Sequence, residues 1–328
     1  MTAPARAAID LGSNTFRLLI ARPREAGAPG APWRRVDYAH RIVRLGEGLH
    51  ERGALGEAGM ERAISALRDF AAIIRARGLD PGDARAVATA AMREARNGEA
   101  FARRIERETG IRVRIIPGDE EAALSLAGAA AVLKPETRAD MLLFDIGGGS
   151  TEFIRARDGQ ARDAVSRPLG VVRLVEACLR GDPPDETDYA AMKQAAAAHL
   201  SAVEQAWRAT DGGAPRAPAH LVGTAGTVTT LAATEMELVP YDADAVNNHV
   251  MTRRAFLDLR DRLCAMTHAE RQALPTIEEG RADLIIAGLA IVEAVMDRWG
   301  FDAMTVVDAG LLEGAWLAAG GLAQAYRK

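Results

Sequence analysis

An aspartate closing a short apolar run, then glycine and hydroxyl residues, then a second apolar run: this pattern occurs twice in the chain. Arg6–Ile9 and Phe16–Ala21 flank Asp10-Leu11-Gly12-Ser13-Asn14-Thr15, while Met141–Phe144 and Phe153–Ile154 flank Asp145-Ile146-Gly147-Gly148-Gly149-Ser150-Thr151-Glu152. Short apolar runs bounded by Gly, Ser and Asn read as strands joined by tight turns. Repetition of the whole unit predicts a duplicated architecture. In such turns glycine removes the side chain and tolerates unusual dihedrals, so that successive backbone N–H groups can converge on phosphate oxygens. Gly223-Thr224-Ala225-Gly226-Thr227, between the strand His220–Val222 and a helix over Val228–Ala233, offers a third loop of the same kind. Any one of them is equally well an ordinary turn. Three together suit a ligand with several phosphates, which needs donors from both sides of a cleft.

The rest of the chain alternates strands and helices. Glu57–Gly78 carries Ile64, Leu67, Phe70, Ile73 and Ile74 at helical spacing and stops at glycine. Arg85–Thr89 and Val113–Ile116 read as strands, Asn97–Thr109 as a charged helix, and Ala122–Leu133 as a helix behind Pro117-Gly118-Asp119-Glu120-Glu121. Ala190–Trp207, Arg281–Asp297 and Leu311–Gln324 read as helices, Met304–Val307 as a strand and Asp211–Pro218 as a linker. The alternation predicts an α/β protein, and 328 residues are enough for two domains with separate cores. The expected division is residues 1–125 and 126–308, with a C-terminal helix in 309–328 packing back on the first domain.

Composition narrows the function. With 48% hydrophobic and 26% charged residues the chain reads as globular. A net charge of −4 provides no global field for nucleic acid or an anionic membrane, so any polyanion must be gripped locally. Cys178 and Cys264 form no C-x-x-C pair and are expected as buried small hydrophobes without zinc or a disulfide. The first residues lack a signal-peptide layout and no long apolar span is visible, so a cytoplasmic protein is expected. The six histidines read as lone structural residues, and Trp33, Trp207, Trp299 and Trp316 as core or interface residues rather than a stacking ladder.

The segments Ala8–Thr15, Asp145–Glu152 and Gly223–Thr227 resemble the Ppx/GppA phosphatase family. Val87-Ala88-Thr89-Ala90-Ala91-Met92-Arg93-Glu94-Ala95 and Ile116–Ala122 are similar to two further blocks of that family, in the same order. The resemblance implies an actin-like fold of two ribonuclease-H-like domains around a cleft. It also implies inorganic polyphosphate or guanosine pentaphosphate as substrate, Mg²⁺ as helper, and dimers in some members. The chain looks like the short two-domain form. It departs from the pattern at Leu312, where the family commonly has an arginine before Glu313-Gly314, so Glu313 is expected to lack that partner.

Phosphoryl transfer to water needs a carboxylate on the water, and cations or N–H donors around the phosphoryl oxygens. Glu121, at a strand-to-helix junction and matching the family's base, is the catalytic candidate; otherwise it is a first-turn charge favoured by the helix dipole. Its neighbour Glu120 projects about 100° away, so only one of the two should face a site. Asp145 and Glu152 bracket the second loop and are the candidate Mg²⁺ ligands, or else a turn-forming Asp and an exposed strand residue. The substrate-binding candidates are Asp10, Ser13, Asn14, Arg17, Arg93, Gly148, Gly149, Ser150, Thr151, Thr224, Gly226 and Thr227. Arg93 takes that role because the family block places a phosphate-clamping arginine there, and Arg44 is a weaker candidate of the same kind. Asp10 could also supplement the metal site. The first expected function is exopolyphosphatase. Guanosine pentaphosphate hydrolysis, phosphate transfer from ATP to an alcohol, and a non-catalytic polyphosphate or alarmone sensor are the competitors.

Overall fold

The computed structural model describes residues 4–25, 30–211 and 217–320. In chain order the first elements are β1 (Arg6–Leu11), β2 (Thr15–Pro23), β3 (Trp33–Ile42), α1 (Leu49–Arg52), α2 (Glu57–Ala76), β4 (Arg85–Ala88), α3 (Ala90–Glu94), α4 (Gly98–Thr109), β5 (Val113–Ile115) and α5 (Gly118–Ala130). There follow α6 (Pro135–Ala139), β6 (Asp140–Ile146), β7 (Thr151–Arg157), β8 (Gln160–Arg167), α7 (Val171–Cys178), α8 (Glu186–Asp211), β9 (His220–Thr224) and α9 (Ala225–Glu235). The last are α10 (Ala243–Val246), β10 (His249–Thr252), α11 (Arg253–Ala265), α12 (His268–Gln272), α13 (Leu284–Trp299), β11 (Ala303–Val306) and α14 (Leu311–Ala319).

The chain divides into two units, Met1–Val132 with Ala309–Lys328, and Leu133–Asp308. The expected boundary at residue 125 falls inside α5, and a packed helix is not cut by a domain boundary; the break comes at its end. Residues 321–328, the last part of the expected C-terminal helix, and most of the expected linker lie outside the described residues.

The duplication is explicit in the topology. The first unit's sheet runs β3-β2-β1-β4-β5 and the second unit's runs β8-β7-β6-β9-β11, with β10 added at the far edge. In each, the hairpin is antiparallel and the remaining strands are parallel to its first strand, except β10, which runs antiparallel to β11. Alternation along the strands loads both faces of the first sheet. Ile9, Leu11, Phe16, Leu18 and Ile20 form one core with Ile64, Leu67, Phe70 and Ile74 of α2, the stripe expected from the sequence. Ala8, Leu19 and Ala21 form the other with Leu312, Ala315, Trp316 and Leu317 of α14. Trp316 is tied down: its indole Nε1 donates to the Arg6 carbonyl at 3.1 Å and its ring meets Trp33 edge-on.

Leu312 is a core residue of that second face, and the Glu313 carboxylate accepts from the Gly310 N–H at 2.9 Å, capping the first turn of α14. One expectation changes here: His249 is not a lone histidine, its Nε2 lying 2.6 Å from Glu235 at the end of α9. Cys178 and Cys264 are free thiols, and burial pushes Cys264 up to about 11, which keeps it an unreactive thiol.

The second unit buries a charged node. Glu293 of α13 accepts from Tyr189 Oη at 2.7 Å, Lys193 Nζ at 2.6 Å and Arg260 Nη1 at 2.9 Å, joining α8, α11 and α13. Burial alone would push its carboxyl up, but the three donors outweigh burial and hold it below its ordinary range. A depressed folded-state pKa contributes stability above the unfolded value, and loses it as pH falls through the folded one. Glu293→Gln is therefore expected to cost about 1–3 kcal/mol at neutral pH. In urea unfolding, its deficit against the parent protein should shrink below about pH 4. A deficit independent of pH would show that the charge contributes nothing.

Candidate active site

Parallel strands end at the same edge of a sheet, and that carboxyl edge is where α/β sheets usually gather ligand-binding groups. In the first unit β1, β4 and β5 deliver to one edge the loop after Asp10, the Thr89–Arg93 segment, and the start of α5 with Glu121. In the second, β6 and β9 deliver the loop after Asp145 and the loop Gly223–Thr227.

The two Gly loops close in the same way. Gly12 N–H donates to the Thr15 carbonyl at 3.2 Å and Gly147 N–H to the Ser150 carbonyl at 2.9 Å. The aspartate before each loop stands opposite the corresponding residue of the next strand, Asp10 opposite Arg17 and Asp145 opposite Glu152. In the first copy the pair is already neutralised. Arg17 Nε and Nη2 donate to Asp10 Oδ2 at 3.1 and 2.7 Å. Burial works against the Arg17 charge, but Asp10, Tyr38 and Glu313 outweigh it and raise the guanidinium pKa. Those donors of Arg17 are engaged with Asp10. Among the described residues Asp10 Oδ1 finds no hydrogen-bond partner although it is buried, and the same holds for Asn14 Oδ1.

In the second copy two carboxylates stand opposite one another, with Asp145 8% and Glu152 1% exposed. Directly opposed like charges destabilise a strand pair, and a cation placed at the two carboxylates would relieve that. The row continues across the sheet. Ser166 lies opposite Glu152 and donates to its Oε1 at 2.7 Å, and Thr224 lies beside Asp145. Hard oxygen donors of this kind suit Mg²⁺, which binds through one or two carboxylates and keeps substrate phosphates and water for its other positions. Among the described residues no group of three or more His, Cys, Asp or Glu side chains could hold a metal.

Of the hydroxyl candidates, Ser13, Ser150, Thr224 and Thr227 are buried at or beside the loops. Thr151 departs from the expectation: it is fully buried and its hydroxyl donates to the Leu169 carbonyl, so it anchors the loop instead of reaching a ligand. In the third loop Ala225 has φ 74, a left-handed conformation that costs a non-glycine residue energy. A Cβ on Gly226 would fall under 3.0 Å from the Arg281 guanidinium, which is paired with Glu278 at 3.0 Å. Arg281 and Ser166 were missed in the sequence because each is distant in the chain from the loop it touches, and neither sits in a recognisable motif.

Glu121 is 6% exposed in the first turn of α5. The helix begins at Gly118, four residues before the expected start, with Pro117 ahead of it and Asp119, Glu120 and Glu121 complementing the dipole. The two adjacent acids diverge as helix geometry requires. Glu120 turns out to Arg114 at 2.7 Å, while Glu121 turns in to Arg93 Nη1 at 2.9 Å. The same Arg93 nitrogen donates to the Ile116 carbonyl at 2.9 Å. Arg93 is thus brought to Glu121 and to the end of β5, and fixes the direction of that carboxylate.

A model of the Ppx/GppA phosphatase family matches residues 29–319. The chain belongs to this family. Exopolyphosphatase 2 of Mycobacterium tuberculosis is 33% identical over 96% of this chain and 98% of its own length. Among solved structures, an exopolyphosphatase from Cytophaga hutchinsonii aligns with a TM-score of 0.85 at 28% identity, over 97% of this chain and 99% of that one. The Aquifex aeolicus Ppx/GppA family member aligns with a TM-score of 0.77 at 29% identity, over 96% of this chain and 97% of that one. The α/β actin-like fold expected from the sequence is the fold of these Ppx/GppA proteins. Among the described residues no helix is long and apolar enough to cross a membrane.

Proposed function

We propose that this Ppx/GppA protein is an exopolyphosphatase: it hydrolyses the terminal phosphoanhydride of inorganic polyphosphate and releases orthophosphate. The observation that carries the reading is the second loop, a glycine turn flanked by opposed carboxylates in the place where its twin has an ion pair. The relative named Exopolyphosphatase 2 supports polyphosphate over guanosine pentaphosphate.

Glu121, held by Arg93, orients the attacking water and accepts its proton. The water oxygen bonds to the terminal phosphorus as the bridging P–O bond breaks, and the electron pair leaves with the shortened chain. In the second unit Gly148, Gly149 and Ser150 supply N–H groups to phosphoryl oxygens, with Thr224 and Thr227 as further polar contacts; in the first unit Ser13 and Asn14 are the polar groups of the matching loop. Asp145 and Glu152 would hold Mg²⁺, which when bound neutralises phosphoryl charge.

The test is orthophosphate release from long-chain polyphosphate, guanosine pentaphosphate and ATP. Release from polyphosphate is expected with Mg²⁺. It should fall at least about 100-fold in EDTA and return on adding Mg²⁺. Glu152→Gln should raise the Mg²⁺ concentration for half-maximal rate at least about 10-fold. Release from guanosine pentaphosphate alone would replace the substrate assignment, and none from any of the three would favour a sensor.

A further inference from the structure

The third strand of each repeat is followed by a segment that performs the same task in both units. After β3, the N–H groups of Val43 and Arg44 both donate to the Asn14 carbonyl, at 2.8 and 2.9 Å, and Gly46 N–H donates to the Ser13 carbonyl at 2.8 Å. Arg44 adopts φ 52 there. After β8, Val171 N–H donates to the Gly147 carbonyl at 3.1 Å and Val172 N–H to the Gly148 carbonyl at 3.0 Å. The Arg173 side chain completes the set, its Nε donating to the Gly149 carbonyl at 2.8 Å. Three successive loop carbonyls are thus drawn onto the start of α7.

A peptide unit whose C=O is pinned one way has its N–H turned the other way, because the group is planar and trans. With three carbonyls held on one side, the following N–H groups of Gly148, Gly149 and Ser150 are turned from α7 and converge as an anion-binding nest. None of these three N–H groups donates to an acceptor among the described residues. The close approach has a steric requirement as well. A Cβ on Gly170 would fall under 3.0 Å from the Gly148 carbonyl oxygen, and one on Gly46 would lie 3.2 Å from the Ser13 Cβ. Neither Gly170 nor Arg173 belongs to a loop motif, and nothing in their neighbourhood in the sequence points to a phosphate.

We propose that Arg173 is a positioning residue for phosphoryl transfer: by holding the Gly149 carbonyl it aims the second loop's N–H groups at the substrate. The effect on activity rests on the exopolyphosphatase reading; the effect on the loop does not. In the first repeat the backing is made by main-chain donors. In the second, one of the three anchors is a side chain, so it can be removed without rebuilding the backbone.

The experiment combines steady-state kinetics, hydrogen exchange and thermal unfolding of the full-length protein carrying Arg173→Ala or Arg173→Lys. Arg173→Ala is expected to lower kcat/KM for polyphosphate roughly 10–100-fold, as misplacement of binding groups does. The amides of Gly147, Val171 and Val172, bonded within this loop-and-helix unit, should exchange faster, while those of β6 and the thermal midpoint stay as in the parent. Arg173→Lys, which keeps a cationic donor, should recover most of the rate. Unchanged exchange together with an unchanged kcat/KM in Arg173→Ala would overturn the proposal. So would an equal loss in both variants accompanied by a lowered midpoint, which marks a structural role only. If the parent protein releases no orthophosphate from polyphosphate, the functional reading fails while the exchange measurement still decides whether Arg173 holds the loop.

Discussion

Glu121→Gln is expected to reduce orthophosphate release from polyphosphate by about 10³-fold, within the range by which a positioned general base accelerates proton transfer. The substitution keeps the size and hydrogen-bonding shape of the side chain and removes its basicity. Its ion pair with Arg93 at 2.9 Å becomes a hydrogen bond, so α3 and α5 should stay in place. The loss should therefore appear in kcat, with KM and the thermal midpoint near those of the parent. A residual rate above about a tenth of the parent's would remove Glu121 from the role of base, since general-base catalysis is worth at least about 100-fold. Glu120→Gln, at a half-buried position facing Arg114, is the internal comparison and should leave the rate nearly unchanged.

The largest effect on stability is expected at the seat of the helix that carries Glu121. Helices α5 and α14 meet through two glycines: a Cβ on Gly128 would fall under 3.0 Å from the Gly310 carbonyl oxygen, and one on Gly314 equally close to that of Leu124. Both obstacles are backbone atoms, which cannot swing aside as a side chain tip can. Gly314→Val must therefore push the helices apart, pulling Leu312, Trp316 and Leu317 from the face of the first sheet. Each fully buried large apolar side chain contributes about 1.5–3 kcal/mol. A loss of more than about 4 kcal/mol in guanidinium unfolding, or failure to accumulate as folded protein, is expected. Gly300→Ala is the control, at a left-handed helix end with nothing within 4 Å of the added carbon. It should cost about 1 kcal/mol. Equal costs at the two positions would mean that the close helix contact carries no special weight.

Much of this protein is visible in its sequence, and the exceptions share a cause. Both hairpins were legible because β1, β2, β6 and β7 are buried on both faces and read as apolar runs. The third strand of each repeat, β3 and β8, was not. Each is an edge strand with one side open to solvent, so exposed charged residues such as Arg34, Arg35 and Arg162 replace the apolar alternation and protect the edge. Missing those strands also hid the segments that follow them, and with those Gly46, Gly170 and Arg173. Helix α7, only eight residues long, gives too short a window for its period to stand out.

What the sequence determined by itself is the set of chemical groups: the repeated Asp-Gly loops, the acid at the start of α5, and the α/β alternation that brings strand ends to one edge. These are local properties, written in residue type and spacing. Tertiary structure decided which atoms of those groups are engaged and with what. It set Arg17 against Asp10 but Glu152 against Asp145, turned Glu121 to Arg93 and Glu120 away, spent the Thr151 hydroxyl on Leu169, and gave Glu313 the Gly310 N–H. Each of these depends on strand register or on helix phase fixed by packing, and a single sequence does not record which partner from elsewhere in the chain will stand opposite.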